Sequence, residues 1–238
     1  MISPEINEST IRLLNRHNVE VIVLPEIKCC GSLNHHLGKK NLAHSSFSNN
    51  INLWYDEYLK NGLDAIISNT SGCGTTLKDY GFIFRNNKDL KKKAKKISEL
   101  SKDITEYINE SLDLKFKKEE KKYKIAYHSA CSMQHGQKIH QGPIDLIKKT
   151  GNEVSDIPDG HICCGSAGTY NLLQSDIAKK LLENKIDNIK KVKPQIISTG
   201  NVGCIVQIAK ATKIPILHTI EIIDWYTGGP KPKVLKNL

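Results

Sequence analysis

The chain contains no apolar run approaching the roughly 18 residues that a membrane-spanning helix requires. Its start, MISPEINEST, lacks the apolar stretch of a secretory signal. Both absences predict a soluble, cytoplasmic protein. Aromatic residues make up only 6% of the sequence, which is thin for the stacking platforms that grip single-stranded nucleic acid. No Cys-X-X-Cys pair occurs, so the usual thiol-redox motif is missing, and so are the short cysteine knuckles of structural zinc sites. No Ser-His-Asp set or paired-carboxylate arrangement stands out, leaving hydrolytic chemistry without support.

What the chain does have is lysine and cysteine. The formal net charge of +10 comes from 35 Lys and Arg residues against 25 Asp and Glu. The basic residues gather in KKKAKK (91–96) and KKEEKKYK (117–124), without interleaved arginines or stacking aromatics. That pattern reads as solvated helix faces, and no nucleic-acid partner is expected. The seven cysteines are Cys29, Cys30, Cys73, Cys131, Cys163, Cys164 and Cys204. An odd count in a reducing compartment argues for metal binding or catalysis over a disulfide framework.

Short β-branched runs at Val19–Leu24, Ala65–Ser68, Lys124–Tyr127 and Gln195–Ser198 alternate with helical spacing, which predicts α/β architecture with mainly parallel strands. Ile97, Leu100, Ile104, Tyr107, Ile108 and Leu112 fall on one helical face. Ile177, Leu181, Leu182, Ile186 and Ile189 fall on another. An internal repeat organises the whole. IRLLNRHNVEVIVLPEIKCCGS (11–32) aligns with IDLIKKTGNEVSDIPDGHICCGS (144–166), and IISNTSGCG (66–74) parallels IISTGNVGC (196–204). Two pseudo-repeated modules are expected, each a mainly parallel sheet flanked by helices. They would span 1–87 and 123–226, joined by a charged helical connector at 88–122 and followed by a flexible tail at 227–238.

In the second copy each cysteine site follows a strand, where loops of an open parallel sheet converge on ligands. Cys131, Cys163, Cys164 and Cys204 are therefore expected to meet, each just before a helix whose N–H groups favour anionic sulfur. Gly165, Gly168 and Gly203, with Gly31 and Gly74 in the first copy, permit close backbone approach to a bulky ligand. Four thiols in glycine-rich loops suit an iron–sulfur cluster, with zinc as the rival and buried apolar cysteines as the plain reading. His128, His135 and His161, like His35 and His36, read as loop histidines that orient backbone or face solvent; donation to sulfur or iron ligation is the alternative.

The motifs IKCCGSLNHHL, SNTSGCGTTLKDYG, AYHSACSMQHGQK, HICCGSAGTYNLL and STGNVGCIVQI, in this order, resemble the cysteine-rich CCG domain proteins, and among them the iron–sulfur subunits of glycolate oxidase. Lactate-utilisation iron–sulfur proteins and the CCG-containing subunits of heterodisulfide reductases are more distant look-alikes. The resemblance implies an iron–sulfur electron-transfer subunit, of 4Fe-4S or related type, with no flavin of its own. It would pass electrons from FAD-binding partner subunits toward quinone, in the cytoplasm with peripheral contact at the inner face of the membrane. The substrate of such a complex would be glycolate or another 2-hydroxy acid, with lactate and glycerol 3-phosphate as alternatives, and a zinc-holding structural module as the non-redox one. The ferredoxin-type cysteine run of full-length members is absent here, which predicts a truncated form and a separate ferredoxin-domain protein. The counterpart of Cys131 in the first copy would fall upstream of Met1. The second module is accordingly expected to hold one cluster, while Cys29, Cys30 and Cys73 form an incomplete set.

Overall fold

The computed structural model describes residues 3–119 and 121–235. The architecture is α/β with two parallel sheets, one in each of two compact units. One unit is Ile22–Asp103; the other combines Met1–Val21 with Ile104–Leu238.

In chain order, helix α1 (Pro4–Arg16) precedes the first CCG loop, and α2 (Ser32–His36) and α3 (Lys40–Asn61) follow it. Strand β1 (Ile66–Ser68), helices α4 (Ser71–Ile83) and α5 (Lys91–Leu100), strand β2 (Ser101–Asp103) and helix α6 (Ile104–Ser111) come next. The second copy starts with β3 (Lys124–Tyr127), a π-helical turn at Ser132–Gln137, α7 (Gly142–Lys149) and β4 (Glu153–Asp156). Then come α8 (Tyr170–Leu173), α9 (Ser175–Lys191), β5 (Ile196–Thr199), α10 (Val202–Ala209), β6 (Ile216–His218) and α11 (Thr219–Tyr226).

The unit holding the second copy is built on a parallel sheet of order β4-β3-β5-β6. All four residues of β5 are buried, as expected for an apolar run covered on both faces. Ile186 and Ile189 of α9 pack with Ile197, Ile208, Cys164 and Cys204 in one core, so the thiols sit among aliphatic side chains. The Ile22–Asp103 unit pairs β1 with β2 and closes its own core around Phe47, Tyr80, Phe84 and Ile97. In α5 Ala94 and Ile97 turn in and Lys91, Lys92 and Lys95 are exposed, while Lys93 and Lys96 lie half-buried over the rings of Tyr55 and Tyr58.

Several local expectations fail for identifiable reasons. Val19–Leu24 forms no strand. It aligns with β4, which is held by pairing with β3, and among the described residues no strand pairs with it. The single helical face drawn from Ile97 to Leu112 is broken by β2, whose Ser101–Asp103 backbone pairs with Ile66–Ser68. Residues 88–103 are thus part of a sheet unit and not a connector.

The unit boundaries also cut across the expected modules. Helix α1 packs on α11 because Arg12 and Arg16 both grip the fully buried Asp224: Arg12 Nε and Arg16 Nη2 each donate to its carboxylate at 2.9 Å. Helix α6 likewise packs on α7. Of the tail, Leu235 is buried in a short 3₁₀ turn, so residues 233–235 are anchored; 236–238 lie outside the described residues. Among the described residues no helix is long and apolar enough to cross a membrane.

Candidate metal centre

The second copy brings its four cysteines together at the carboxyl ends of β3, β4 and β5. Pairing of β3 with β5 runs one residue past the strand: the His128 N–H donates to the Ser198 carbonyl at 2.8 Å. The chain then turns through Ala130 into the π-helical turn, with Cys131 at its start. After β5, Asn201 caps α10 by accepting from the Gly203 and Cys204 N–H groups at 2.8 and 3.3 Å, which places Cys204 in the first helical turn. The expectation that helix N–H groups serve sulfur directly therefore does not hold at Cys204, where the side chain of Asn201 takes them.

The CCG loop supplies the other two thiols. Gly165 has φ +87, and a Cβ there would lie 2.4 Å from the backbone oxygen of Ala178 in α9, so only glycine fits. Its N–H donates to Cys163 Sγ at 3.3 Å. Gly203 is tight on two sides, with Asn201 Oδ1 and Ser166 Oγ both 3.0 Å from an added Cβ, and Gly168 lies exposed at φ +64.

The thiols form a chain of hydrogen bonds with alternating proton affinity. Cys163 is held far below the ordinary thiol range, first by bonds from Cys131 and Cys164 and then by the Gly165 N–H. Cys204 is lowered chiefly by a bond from Cys164. Cys131 is raised by its bond to Cys163 and by burial, and Cys164 by its contacts with the sulfurs of Cys163 and Cys204 and by burial. Two sulfurs with lowered and two with raised proton affinity, close together, are a poised ligand set: a cation bound by them displaces the remaining protons. His128 completes the set. It is 1% exposed, neither ring nitrogen has a partner at hydrogen-bonding geometry, and its ring lies with Cys164 and Cys204 so that their ligand atoms fall within 4.8 Å of one another. Its proximity adds to the lowering of Cys204. An orphaned buried imidazole beside thiolates fits a metal group.

The reading of His128 as an ordinary loop histidine is thus overturned by its burial against sulfur. His135 and His161 keep that reading: both are exposed, and a His135 ring nitrogen sits 3.4 Å from the His161 carbonyl oxygen. His35 and His36 are exposed too, with His35 edge-on to Phe47.

In the first copy Cys30 and Cys73 are in direct contact, and the exposed Cys29 bonds to Cys30 from the side. Cys30 and Cys73 lie 3.0 Å apart, Cys30 raised and Cys73 lowered by the one hydrogen bond they share, while Cys29 is exposed. Gly31, at φ +79, packs so closely on Phe47 that a Cβ would sit 2.4 Å from its ring. Gly74 is buried in the first turn of α4.

Two positioning residues escaped the sequence reading. Asn50 of α3 accepts from the Lys28 N–H at 2.9 Å and donates to its carbonyl at 3.0 Å, pinning the first CCG loop. Lys185 of α9, 1% exposed, donates to the carbonyls of Asp159 and Gly160 at 3.2 and 3.4 Å, pinning the turn before the second. Burial lowers its pKa and the nearby sulfurs of Cys164, Cys163 and Cys204 oppose that shift, so its amino group stands within electrostatic reach of the thiols. A signal was present: position 185 lies on the same helical stripe as Leu182, Ile186 and Ile189, where lysine is out of place.

Comparison with known proteins agrees with this geometry. The cysteine-rich CCG domain family matches residues 1–78 and 125–209. The glycolate oxidase iron-sulfur subunit of Escherichia coli (strain K12) is 35% identical over 223 residues, 94% of this chain and 54% of the relative. The probable glycolate oxidase iron-sulfur subunit of Bacillus subtilis (strain 168) is 29% identical over 84% of this chain and 45% of its own. Lactate utilization protein A of Geobacillus sp. (strain WCH70) is 23% identical, over 91% of both chains. The chain thus spans about half the length of the two glycolate oxidase subunits. Two matched regions, each carrying a CCG loop and a later Gly-Cys turn on a parallel sheet, place this chain in the cysteine-rich CCG domain family.

Proposed function

We propose that this chain is an iron–sulfur electron-transfer subunit of a flavin-dependent complex that oxidises a 2-hydroxy acid, glycolate being the first candidate. In this reading it takes electrons from an FAD-binding partner and passes them toward quinone, in the cytoplasm or at the inner face of the membrane. The observation that carries the proposal is the convergence of the half-buried Cys131 and Cys163 with the buried Cys164, Cys204 and His128, whose ring nitrogens have no hydrogen-bond partner. The relatives' names supply the redox class and the substrate.

A bound cluster, of 4Fe-4S or related type, would supply reversible one-electron storage. The four thiolates would hold its irons. The N–H of Gly165 donates to Cys163, and those of Ser132 and Ser166 to Cys131 and Cys164, so each of these sulfurs already has a backbone donor that offsets negative charge. Ile157, Ile186 and Ile208 pack in one core with Cys164 and Cys204 and shield that side of the site from water. Lys185 places positive charge beside the site. In the first copy Cys30 and Cys73 provide a partial set, and a second cluster there requires a further ligand.

Anaerobic reconstitution with iron and sulfide, followed by metal and sulfide analysis and EPR, tests the proposal. Iron and acid-labile sulfide in the second module, lost on Cys164→Ser, are the expected result. The grouping of His128, Cys164 and Cys204 favours one rival, a zinc ion held by these three and a fourth thiol. Zinc retained without iron in anaerobically purified protein, and lost on His128→Ala, would establish that rival and overturn the electron-transfer reading.

A further inference from the structure

The lysine-rich helix α5 is more than a solvated face. From Arg85 to Glu99 the chain carries seven cations against two acids. Among the described residues Lys95 alone of the α5 lysines has an acidic partner, Glu99 at 3.9 Å. Two of the others are seated on aromatic rings. Lys93 Nζ donates to Asn52 Oδ1 at 2.8 Å and lies 5.5 Å from the centre of the Tyr55 ring. Lys96 Nζ lies 4.7 Å over Tyr58. Both rings come from the last turns of α3, which bury nothing: the buried residues of that helix are Ala43, Phe47, Asn50 and Ile51. Tyr55, Tyr58 and Leu59 stand at i, i+3 and i+4 spacing on one stripe, with Leu59 66% exposed. On the α4 side of α5, a Cβ on Gly81 would lie 3.2 Å from Lys95 Cα. Its neighbour Phe82 is 64% exposed, with the Arg85 guanidinium 3.7 Å above the ring. All of these residues belong to the Ile22–Asp103 unit.

We propose that this face of α3 and α5 is a docking surface for an anionic phospholipid membrane. Lysines without acidic partners meet the headgroup phosphates as point charges. Tyr55 and Tyr58 sit at headgroup depth, as amphipathic rings do, and Leu59 and Phe82 enter the acyl boundary. The acids on this stretch of α3 are Asp56 and Glu57, so the attraction comes from α5 and the segment leading into it. Nucleic acid fits the face less well. Lysine lacks the planar fork that grips phosphates and base edges bidentately, and an ammonium group already covers one face of each tyrosine ring, where a base would stack. The proposal gives the membrane contact of the redox reading a surface, yet stands on this face alone. Vesicle binding needs no cluster and cluster assembly needs no vesicle, so the two fail separately.

The test is cosedimentation of the full chain with vesicles of phosphatidylcholine, with and without phosphatidylglycerol. Binding to the anionic vesicles is expected, weakened by salt and absent with the neutral ones. Amide exchange across residues 52–61 and 91–96 should slow on the anionic vesicles. Lys91→Gln with Lys92→Gln removes two exposed charges that have no acidic partner; at about fivefold per lysine near the surface, binding should weaken about 25-fold. Lys179→Gln with Lys180→Gln takes the same charge from exposed positions of α9 and should change binding less than about threefold. Leu59→Ser should weaken it at least about fivefold at every salt concentration, which a purely ionic contact would not show. Circular dichroism checks each fold, and the exchange pattern of the unaltered chain decides should a variant unfold. No binding to anionic vesicles at low salt, exchange protection elsewhere in the chain, equal losses from the two lysine pairs, or no effect of Leu59→Ser would each overturn the proposal. So would tighter binding to a DNA duplex than to the vesicles, if it depends on Lys91 and Lys92.

Discussion

Replacing Gly165 with alanine separates two effects that share one position. The backbone there sits at φ +87, and left-handed geometry costs a residue bearing a Cβ about 1–2 kcal/mol. The added methyl also collides with the backbone of α9, 2.4 Å from the Ala178 oxygen and 3.2 Å from its carbonyl carbon. Backbone does not swing aside as a side chain does, so the loop or the helix must shift, at about 1–3 kcal/mol by the measure of overpacked cores. The total is about 2–5 kcal/mol, or a fall in Tm of about 5–15 °C for a chain of this size. Gly151 is the internal control. It has nearly the same φ, +83, but an added Cβ meets nothing within 4 Å. Gly151→Ala should therefore lose only the first contribution. Thermal and urea unfolding of both variants, with iron uptake per chain after reconstitution, form the assay. Gly165→Ala should be less stable than Gly151→Ala by about 1–3 kcal/mol and should alone lose metal, because the shifted loop carries Cys163 and Cys164. Equal losses of stability, or full metal uptake by Gly165→Ala, would refute the argument that close packing on α9 sets the loop.

Lys185→Met removes the tie to the Asp159 and Gly160 carbonyls, and about 1–3 kcal/mol of stability should be lost in urea titration. Loss of that positive charge should also move the midpoint potential of reconstituted protein to more negative values. Asp224→Ala leaves Arg12 and Arg16 without their shared partner; about 3 kcal/mol should be lost and hydrogen exchange across residues 4–16 should accelerate, since this carboxylate holds α1 to α11. Glu221 carries a carboxyl pushed up to about 7, mainly by burial and secondarily by Glu5, against the lowering bond from the His218 N–H. Its folded state binds the proton more tightly than the unfolded chain, so its stabilising contribution is complete below pH 4.5 and is lost as pH rises toward 7. At about 1.4 kcal/mol per unit the loss is up to about 3 kcal/mol, and Glu221→Gln should flatten the stability profile in that window.

The elements legible in the sequence were those whose pattern is local. Lys124–Tyr127 reads as a strand from its own residues, and α9 shows its buried face through Leu182, Ile186 and Ile189. Val19–Leu24 has a stronger strand composition than Ser101–Asp103, yet the second pairs and the first does not. Strand formation needs a hydrogen-bonding neighbour, and no window of sequence shows whether one is in place. The reach of Arg12 and Arg16 across more than 200 residues to Asp224 was invisible for the same reason.

By itself the sequence determined that two related modules exist and that four cysteines of the second belong together, because the repeat and the glycine-flanked thiols are written in residue order. Only the tertiary structure decided which of those thiols bind their proton more tightly and which less, that His128 is buried against them, and that Lys185 stands behind them. Those properties depend on burial and on hydrogen bonds between segments far apart in the chain, and these come into being only when the sheets assemble.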